Sequence, residues 1–244
     1  MKIAVAGGTG VVGRHVVEIA RSRGHRVLVL ARSTGIDLTS GEGLDLTGVH
    51  TVVDVTSVQT TSAARSTGFF RAVTGHLLVA ERAAGVGHHL LLSIVGVDDA
   101  PHGYYAGKLA QEQLVRQDDV PWTILRATQF HEFSAQIFQR MRLGPFAVVP
   151  AMVSQPVAAR EVAARLVDLA ENGPAGRVPD LAGPRVERMA ELSRRWAAAT
   201  HTRGRVLEVP VPGGLGRAMR DGTLLARPGA QLGEQAFDQW LSSL

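Results

Sequence analysis

The stretch that decides the fold is the N-terminal run Lys2-Ile3-Ala4-Val5-Ala6-Gly7-Gly8-Thr9-Gly10-Val11-Val12-Gly13, in which an apolar segment precedes glycines spaced G-x-x-G-x-x-G. Residues 2–6 predict a buried strand, and a helix is predicted from about Val11 to Arg23. Gly7 permits a tight turn, Gly10 lets the backbone approach a pyrophosphate, and Gly13 lets the helix pack closely on the strand. Because amides at a helix start bind anions, the run predicts a dinucleotide site formed by Gly7, Thr9, Gly10, Val11, Val12 and Gly13.

The second predicted strand, Arg26–Ala31, is followed by a basic residue and not by an acidic one. An Asp or Glu at this point commonly accepts hydrogen bonds from the ribose of NAD. Arg32 instead carries a guanidinium that suits a 2′-phosphate, with Ser33 as a further donor. The sequence therefore favours NADP(H) as cofactor, and the alternative is that Arg32 is a solvated surface residue.

The first 130 residues alternate short apolar runs with segments of helical spacing. Further strands are predicted at Thr51–Asp54, His88–Ile94 and Trp122–Arg126, helices at Ser62–Ala84 and Tyr104–Arg116, and a very short strand at Asp37-Leu38. Strands that alternate with helices imply right-handed crossovers and a parallel sheet. We therefore expect an α/β fold, a Rossmann-type doubly wound parallel sheet.

From about Phe130 onward, frequent prolines interrupt the pattern. Helices are predicted at His131–Arg142, Ala159–Glu171, Glu187–Thr200 and Glu234–Ser243, and strands near Arg177–Leu181 and Arg205–Val209. We expect residues 1–130 to form an NADP(H)-binding core. Residues 131–244 are expected to form mainly a small C-terminal substrate-binding cap, with late elements returning to the core in a single structural unit.

Tyr104 and Lys108 lie four residues apart on a predicted helix, so their side chains share one face. A phenol with a pKa of about 10 is a poor proton donor and acceptor at neutral pH, and a nearby ammonium lowers that pKa. Tyr104 could then pass its proton to a carbonyl oxygen, while Lys108 holds ribose hydroxyls. Ser93 is placed to hydrogen-bond the same oxygen. The alternatives are a coincidental surface spacing, a serine satisfied within its strand, and Tyr105 as the proton donor.

Together, the glycine turn, Arg32, Ser93 and the run Tyr104-Tyr105-Ala106-Gly107-Lys108 resemble the atypical short-chain dehydrogenase/reductase superfamily, especially its NmrA-like and NAD(P)H-binding subgroup. The resemblance covers residues 1–130, including 121–130, which look like the sixth strand of that family and the turn after it. In relatives this turn lies beside the nicotinamide and commonly has proline where this chain has Ala127. The resemblance implies further cofactor contacts at Phe130, at Asp37 and Leu38 near the adenine, and at Val55, Thr56 and Ser57 near the ribose or diphosphate.

The resemblance also implies a reaction class. The chain is expected to be an NADPH-dependent oxidoreductase that reduces a carbonyl or quinone-like small molecule, with Tyr104 as proton donor and Lys108 as its partner. The superfamily also contains epimerases and dehydratases with tightly held NADP, and NmrA-like members that act as non-catalytic NADP(H) sensors. A sensor need not keep a proton donor, so the Tyr-x-x-x-Lys pair argues against the sensor without excluding it.

The composition narrows the other function classes. The chain has no cysteine, which removes disulfides, thiolate metal sites and cysteine nucleophiles. No metal-ligand spacing, Walker loop or G-x-S-x-G elbow is present. Its arginines are scattered and form no basic stripe, so nucleic-acid binding is not expected. No segment reaches the length of a membrane span, so we expect a cytoplasmic protein without a membrane partner, and either a monomer or a homodimer.

The apolar side chains that follow the core suggest the kind of substrate. Aromatic and sulfur-containing residues cluster in the expected cap at Phe130, Phe133, Phe138, Met141, Phe146 and Met152. They favour an apolar or aromatic substrate, and the alternative is plain packing of the cap. Gln129, His131 and Gln155 are the polar residues of this region, and the sequence assigns them no role.

Overall fold

The computed structural model describes residues 1–244 and contains eight helices and thirteen strands. The helices are α1 (Gly13–Ser22), α2 (Ala63–Ala84), α3 (Tyr104–Gln117), α4 (His131–Arg140), α5 (Ala159–Asn172), α6 (Met189–Ala199), α7 (Gly213–Arg220) and α8 (Phe237–Leu241). The strands are β1 (Lys2–Ala6), β2 (Arg26–Leu30), β3 (Thr51–Asp54), β4 (His88–Ile94), β5 (Trp122–Ala127), β6 (Arg142–Leu143), β7 (Phe146–Pro150), β8 (Val153–Ser154), β9 (Gly176–Arg177), β10 (Leu181–Ala182), β11 (Glu187–Arg188), β12 (Arg205–Val209) and β13 (Gln231–Leu232). None of the helices combines the length and the apolar character needed to cross a membrane.

The central sheet is parallel throughout and has the order β2-β1-β3-β4-β5-β10-β13, with β9 also paired to β5. This order confirms the predicted Rossmann-type α/β fold. Strand β1 pairs with β2 on one side and with β3 on the other, so Ala6 stands level with both Leu30 and Asp54. The strand order therefore reverses beside β1, and parallel sheets bind ligands at the carboxyl ends of the strands at such a point.

Helices cover both faces of this sheet. On one face, α1 and α5 pack against β1, β3, β4 and β5 in the largest buried apolar cluster. On the other face, α2 packs against β1, β2 and β3, and α3 packs against β4 and β5. A separate cluster joins α4, α6, α8 and β7 to the start of α3. The chain after residue 130 thus contributes α5, β9, β10 and β13 to the sheet layer, and places its other elements above the carboxyl edge.

Several predicted elements have different bounds in the structure. Asp37 forms only an isolated bridge with Glu42, so the predicted strand at Asp37-Leu38 is wrong. The predicted strand Arg177–Leu181 is divided into β9 and β10, and Pro179, which has no amide to donate, lies in the gap. The predicted helix at Glu234 starts only at Phe237, because the Glu161 carboxylate accepts hydrogen bonds from the amides of Glu234 and Gln235.

A charged pair lies in the interior between α2 and β4. The Glu81 carboxylate accepts from His89 Nδ1 at 2.8 Å, and both side chains are 0% exposed. Burial, the largest single effect, lowers the pKa of His89, but the charge and hydrogen bond of Glu81, together with the charges of Asp54 and Asp118, outweigh it and the pKa is raised. A pKa that is raised in the folded state gives stabilisation that is present below the unfolded pKa of about 6.5 and is lost as the pH rises through the folded value.

We expect Glu81→Gln to lower the free energy of unfolding by about 3 kcal/mol near pH 6, because His89 is charged there and the variant leaves that charge buried alone. Near pH 9 (about three units higher) the loss should be smaller, because the stabilisation from a raised pKa declines as the pH rises through the folded value. Denaturant unfolding at both pH values measures the difference, with Glu42→Gln at an exposed residue as control. An equal loss at the two pH values would contradict a charged pair.

Candidate functional site

The glycine turn between β1 and α1 is closely packed backbone. Gly7 has a positive φ of 80°, and its carbonyl accepts from the Gly10 amide at 2.9 Å. A Cβ on Gly13 would lie 2.2 Å from the Gly7 oxygen and 2.7 Å from the Gly8 Cα atom. A Cβ on Gly7 would meet the Val55 carbonyl oxygen at 3.0 Å. The turn is therefore pressed against both α1 and the loop after β3, as the sequence predicts for a dinucleotide-binding turn.

The amides of this turn are available to an anion. Those of Thr9, Val11, Val12 and Gly13 donate to no acceptor within the chain, and Thr9 and Gly10 are exposed. Amides that point out of a helix start provide a site for phosphate. The residues of the glycine turn therefore fit a bound dinucleotide.

Arg32 and Ser33 lie at the same end of the sheet, one strand away. Both are exposed, and they begin a single 3-10 turn, Arg32–Thr34, directly after β2. Hydrogen bonds from Thr39, helped by the charge of Arg32, hold the pKa of Asp37 below its ordinary value. Leu38, by contrast, is buried in the core beneath α2. The guanidinium is thus free to meet a ligand at the end of β2, and the adenine contacts of Asp37 and Leu38 stay predictions.

The loop after β3 carries the next candidate residues, Val55, Thr56 and Ser57. Asp54 is 0% exposed, and its Oδ1 accepts from the Thr56 amide at 2.9 Å and from the Thr56 hydroxyl at 2.6 Å. These bonds fix the direction in which the loop leaves the sheet. Val55 is partly buried and Ser57 is exposed, so the loop presents Ser57 at the edge where the glycine turn also ends.

Tyr104 opens α3 above this edge. Its phenol oxygen lies 3.2 Å from the Ser57 hydroxyl, and its ring packs edge-on against Phe70 at a centroid distance of 5.6 Å. Burial raises the pKa of Tyr104 to about 12, although the hydrogen bond with Ser57 opposes the rise. The lowered pKa expected from a nearby ammonium is therefore wrong for this structure. The phenol is therefore protonated at neutral pH, which suits a proton donor better than a proton acceptor.

Lys108, one helical turn later, points inward. It is 4% exposed, and its Nζ donates to the Leu92 carbonyl and to Gln111 Oε1, each at 2.8 Å, and more weakly to the Thr56 carbonyl at 3.4 Å. Burial lowers the pKa of Lys108 to about 8, against the attraction of the Asp54 and Glu112 carboxylates. The structure thus brings Lys108 to the loop after β3, while the phenol of Tyr104 is bonded to Ser57.

Two polar side chains near the carboxyl ends of β4 and β5 lack partners: Ser93 Oγ and both amide atoms of Gln129 are buried without a hydrogen bond. Tyr105 is buried beside Gln129, and burial raises the pKa of its phenol. Buried polar atoms are normally paired, so Ser93 and Gln129 are candidates to bind a polar group of a ligand.

The apolar residues expected in the cap have divided roles. Phe138 and Met152 are core residues of the cap, and Phe133 packs on the same cluster. Met141 and Phe146 are 50% and 38% exposed. Phe130 is partly buried against the sheet-side cluster. Packing therefore accounts for Phe138 and Met152, whereas Phe130 and Phe133 stay candidates for the substrate pocket.

Two residues of this region were not identified as site residues from the sequence. In the sequence, Asp54 is simply the end of a predicted strand and Gln111 an ordinary residue of a predicted helix. In the structure, Gln111 Nε2 donates to Asp54 Oδ2 at 2.8 Å, and Gln111 Oε1 accepts from Lys108. The only available signs were an acidic residue at the end of an apolar strand and a polar residue three positions after Lys108.

The glycine turn and the reversed strand order define a Rossmann-type dinucleotide-binding fold. The sequence profile of the NAD(P)H-binding family matches residues 7–172, which include all of these elements beyond β1. The chain belongs to this NAD(P)H-binding family. No curated protein sequence matches it.

Solved structures share the fold. A UDP-glucose 4-epimerase from Bifidobacterium longum, in complex with NAD+ and UDP, has a TM-score of 0.74 at 14% identity, over 100% of this chain and 96% of the other. A short-chain dehydrogenase/reductase superfamily protein from Agrobacterium tumefaciens with bound NAD has a TM-score of 0.67 at 20% identity, over 100% and 95%. A dTDP-4-dehydrorhamnose reductase from Yersinia enterocolitica has a TM-score of 0.65 at 17% identity, over 85% and 83%. At such identities the likeness establishes the fold alone.

We expect Gly13→Ala to weaken dinucleotide binding by about tenfold or more, a loss of roughly 1.4 kcal/mol, because the new Cβ would displace the Gly7 carbonyl and with it the free amides. Fluorescence titration with NADPH measures the affinity. The matched control is Gly75→Ala within α2, where an added Cβ meets nothing within 4 Å. Equal affinities in the two variants would remove the glycine turn from the binding site.

Proposed function

We propose that this protein is an NADPH-dependent reductase of a carbonyl or quinone-like small molecule, with Tyr104 as proton donor and Lys108 as its partner. The observation that carries the proposal is the meeting of α3 with the loop after β3. The Tyr104 phenol lies 3.2 Å from the Ser57 hydroxyl of this loop, and Lys108 Nζ donates weakly to the Thr56 carbonyl at 3.4 Å. These contacts support the proposal that both residues act at the edge where the glycine turn ends.

The residues divide the chemistry between them. When bound, NADPH supplies the hydride that is delivered to the substrate carbon. Tyr104, neutral because its pKa is about 12, gives its proton to the oxygen of the carbonyl as negative charge develops there. The ammonium of Lys108 then stabilises the phenolate that remains. Ser93, whose buried hydroxyl has no partner in the chain, orients the same oxygen.

Arg32 supports NADP(H) over NAD(H). It is exposed directly after β2, and residues 31–34 include no Asp or Glu that would bind the ribose 2′-hydroxyl at this point. Partly buried Phe130 and Phe133 would line the space for an apolar or aromatic substrate.

The activity is tested with purified protein, NADPH, and a panel of small quinones and aldehydes. We expect NADPH oxidation with at least one of them, and we expect Tyr104→Phe to lower turnover by roughly a hundredfold or more while NADPH affinity is retained. Tyr105→Phe is the matched control beside it. Unchanged turnover in Tyr104→Phe would remove this residue from the mechanism.

Two other outcomes would replace the proposal. Tight NADPH binding without any turnover would favour a dinucleotide sensor. Dinucleotide retained through purification, with no net NADPH consumption, would favour an epimerase or dehydratase.

The preference for NADPH is tested at Arg32. Because only NADPH carries the 2′-phosphate, we expect Arg32→Ala to weaken NADPH binding by about tenfold or more. This loss equals roughly 1.4 kcal/mol, about one charge-assisted hydrogen bond. The affinity for NADH should be almost unchanged. Titration with both dinucleotides measures this, with the exposed Arg21→Ala as control. Equal losses for the two dinucleotides would contradict the role given to Arg32.

A further inference from the structure

A buried polar network lies beneath the candidate site, and the proposed reaction uses only one of its members. Asp54, Gln111 and Lys108 are 0%, 0% and 4% exposed. Gln111 lies between the other two: Lys108 Nζ donates to its Oε1 and its Nε2 donates to Asp54 Oδ2, both at 2.8 Å. The same Nε2 also donates to the Thr74 hydroxyl of α2 at 3.0 Å. The network thus ties α2, α3 and the end of β3 together.

Lys108 and Asp54 together determine the orientation of the Gln111 amide. Lys108 can only donate and ionised Asp54 can only accept. The amide oxygen must therefore face Lys108 and the amide nitrogen must face Asp54. In this orientation the amide dipole links a buried positive charge to a buried negative charge that do not bond to each other directly.

The network also accounts for where the Lys108 ammonium points. An ammonium has three N–H donors, and in this structure they meet the oxygens of Leu92, Gln111 and Thr56. Two of these acceptors are backbone carbonyls, which belong to β4 and to the loop after β3. Gln111 is the one side chain that accepts from Lys108, so it is also the one partner that a substitution can remove without moving the backbone.

We propose that Gln111 is a positioning residue, which couples Asp54 to Lys108 and thereby holds the ammonium beneath the loop that carries Thr56 and Ser57. The proposal rests on the proposed function in that Lys108 is the partner of the proton donor. It assigns to Gln111 no contact with the substrate or the dinucleotide.

The other ionisable groups around Lys108 set the background for a test. From α3 these are Tyr104 and Glu112, and the Glu112 carboxylate is already paired with Arg126 and Arg116. From α2, Phe70 faces the ammonium at 4.5 Å from its ring centroid and does not ionise. His89 of β4 is paired with Glu81 of α2, and the Asp54 charge also helps to raise the pKa of His89.

The test follows the ionisation of Lys108 directly. The chain has only two lysines, Lys2 and Lys108, so NMR of protein labelled with ¹³C at lysine Cε yields two signals to titrate. In Gln111→Leu, Lys108 loses an acceptor and its link to Asp54. The midpoint of the Lys108 titration should therefore fall by about one pH unit. The exposed Gln113→Leu, on the same helix, should leave the midpoint unchanged.

Moving the carboxylate from residue 54 to residue 111 should shift the Lys108 titration in the opposite direction. The double variant Asp54→Asn, Gln111→Glu keeps a donor facing an acceptor at each contact, but it places the carboxylate in direct contact with Lys108. Its midpoint should rise by about one pH unit or more. Because it preserves the hydrogen bonds, this variant also serves if Gln111→Leu does not fold. The alkaline limb of kcat/KM should shift in the same direction as the midpoint in each variant.

The outcomes separate the two proposals. Opposite shifts of the Lys108 signal support the positioning role, whether or not any substrate is turned over. Unchanged midpoints, or shifts of the same sign in both variants, overturn it and reduce Gln111 to a packing residue. If the midpoints shift as expected but no member of the substrate panel is reduced, the reductase fails and the positioning role stands.

Discussion

The structure depends on one steric constraint, the absence of a side chain at Gly13. Only without a Cβ can α1 start against the Gly7 carbonyl, because even a methyl group there would lie 2.2 Å from that oxygen. This contact places α1 on β1 and leaves the amides of Thr9, Val11, Val12 and Gly13 without internal partners. It also brings Gly7 against Val55, so the loop after β3 must leave the sheet where the turn ends. The packing of the core and the binding edge thus have the same cause.

The charges that are buried below this edge are never alone. Asp54 receives three hydrogen bonds, two from Thr56 and one from Gln111. Glu81 faces His89, and Arg126 is held by Glu112 and Asp98. Removing one partner from such a pair costs several kcal/mol, because the other charge stays buried. The contacts of Asp54 with Gln111, His89 with Glu81 and Arg126 with Glu112 run from the sheet to α2 or α3, so they hold both helices against it.

Much of the core could be predicted because its signals are local. The strands β1, β3 and β4 have the predicted bounds, since each is a short apolar run between turn residues. The two-residue strands of the C-terminal part had no such signal. Their pairing comes from tertiary contacts, as when β10 is held between β5 and β13. The late start of α8 depends on Glu161, more than 70 residues earlier in the chain.

The site shows the same limit at the level of side chains. Helical spacing correctly placed Tyr104 and Lys108 on one helix, but it could not show where each side chain points. That direction comes from the contact of α3 with α2. A Cβ on Gly107 would lie 2.0 Å from the Ser66 hydroxyl oxygen, so α3 can approach α2 only with glycine there. The close approach brings Lys108 over the Phe70 ring of α2, while its Nζ also bonds to Leu92 of β4 and to Gln111 of its own helix. The glycine within Tyr-x-x-Gly-Lys therefore has a structural function of its own, since it turns a spacing that is common on helix surfaces into a buried ammonium at the binding edge.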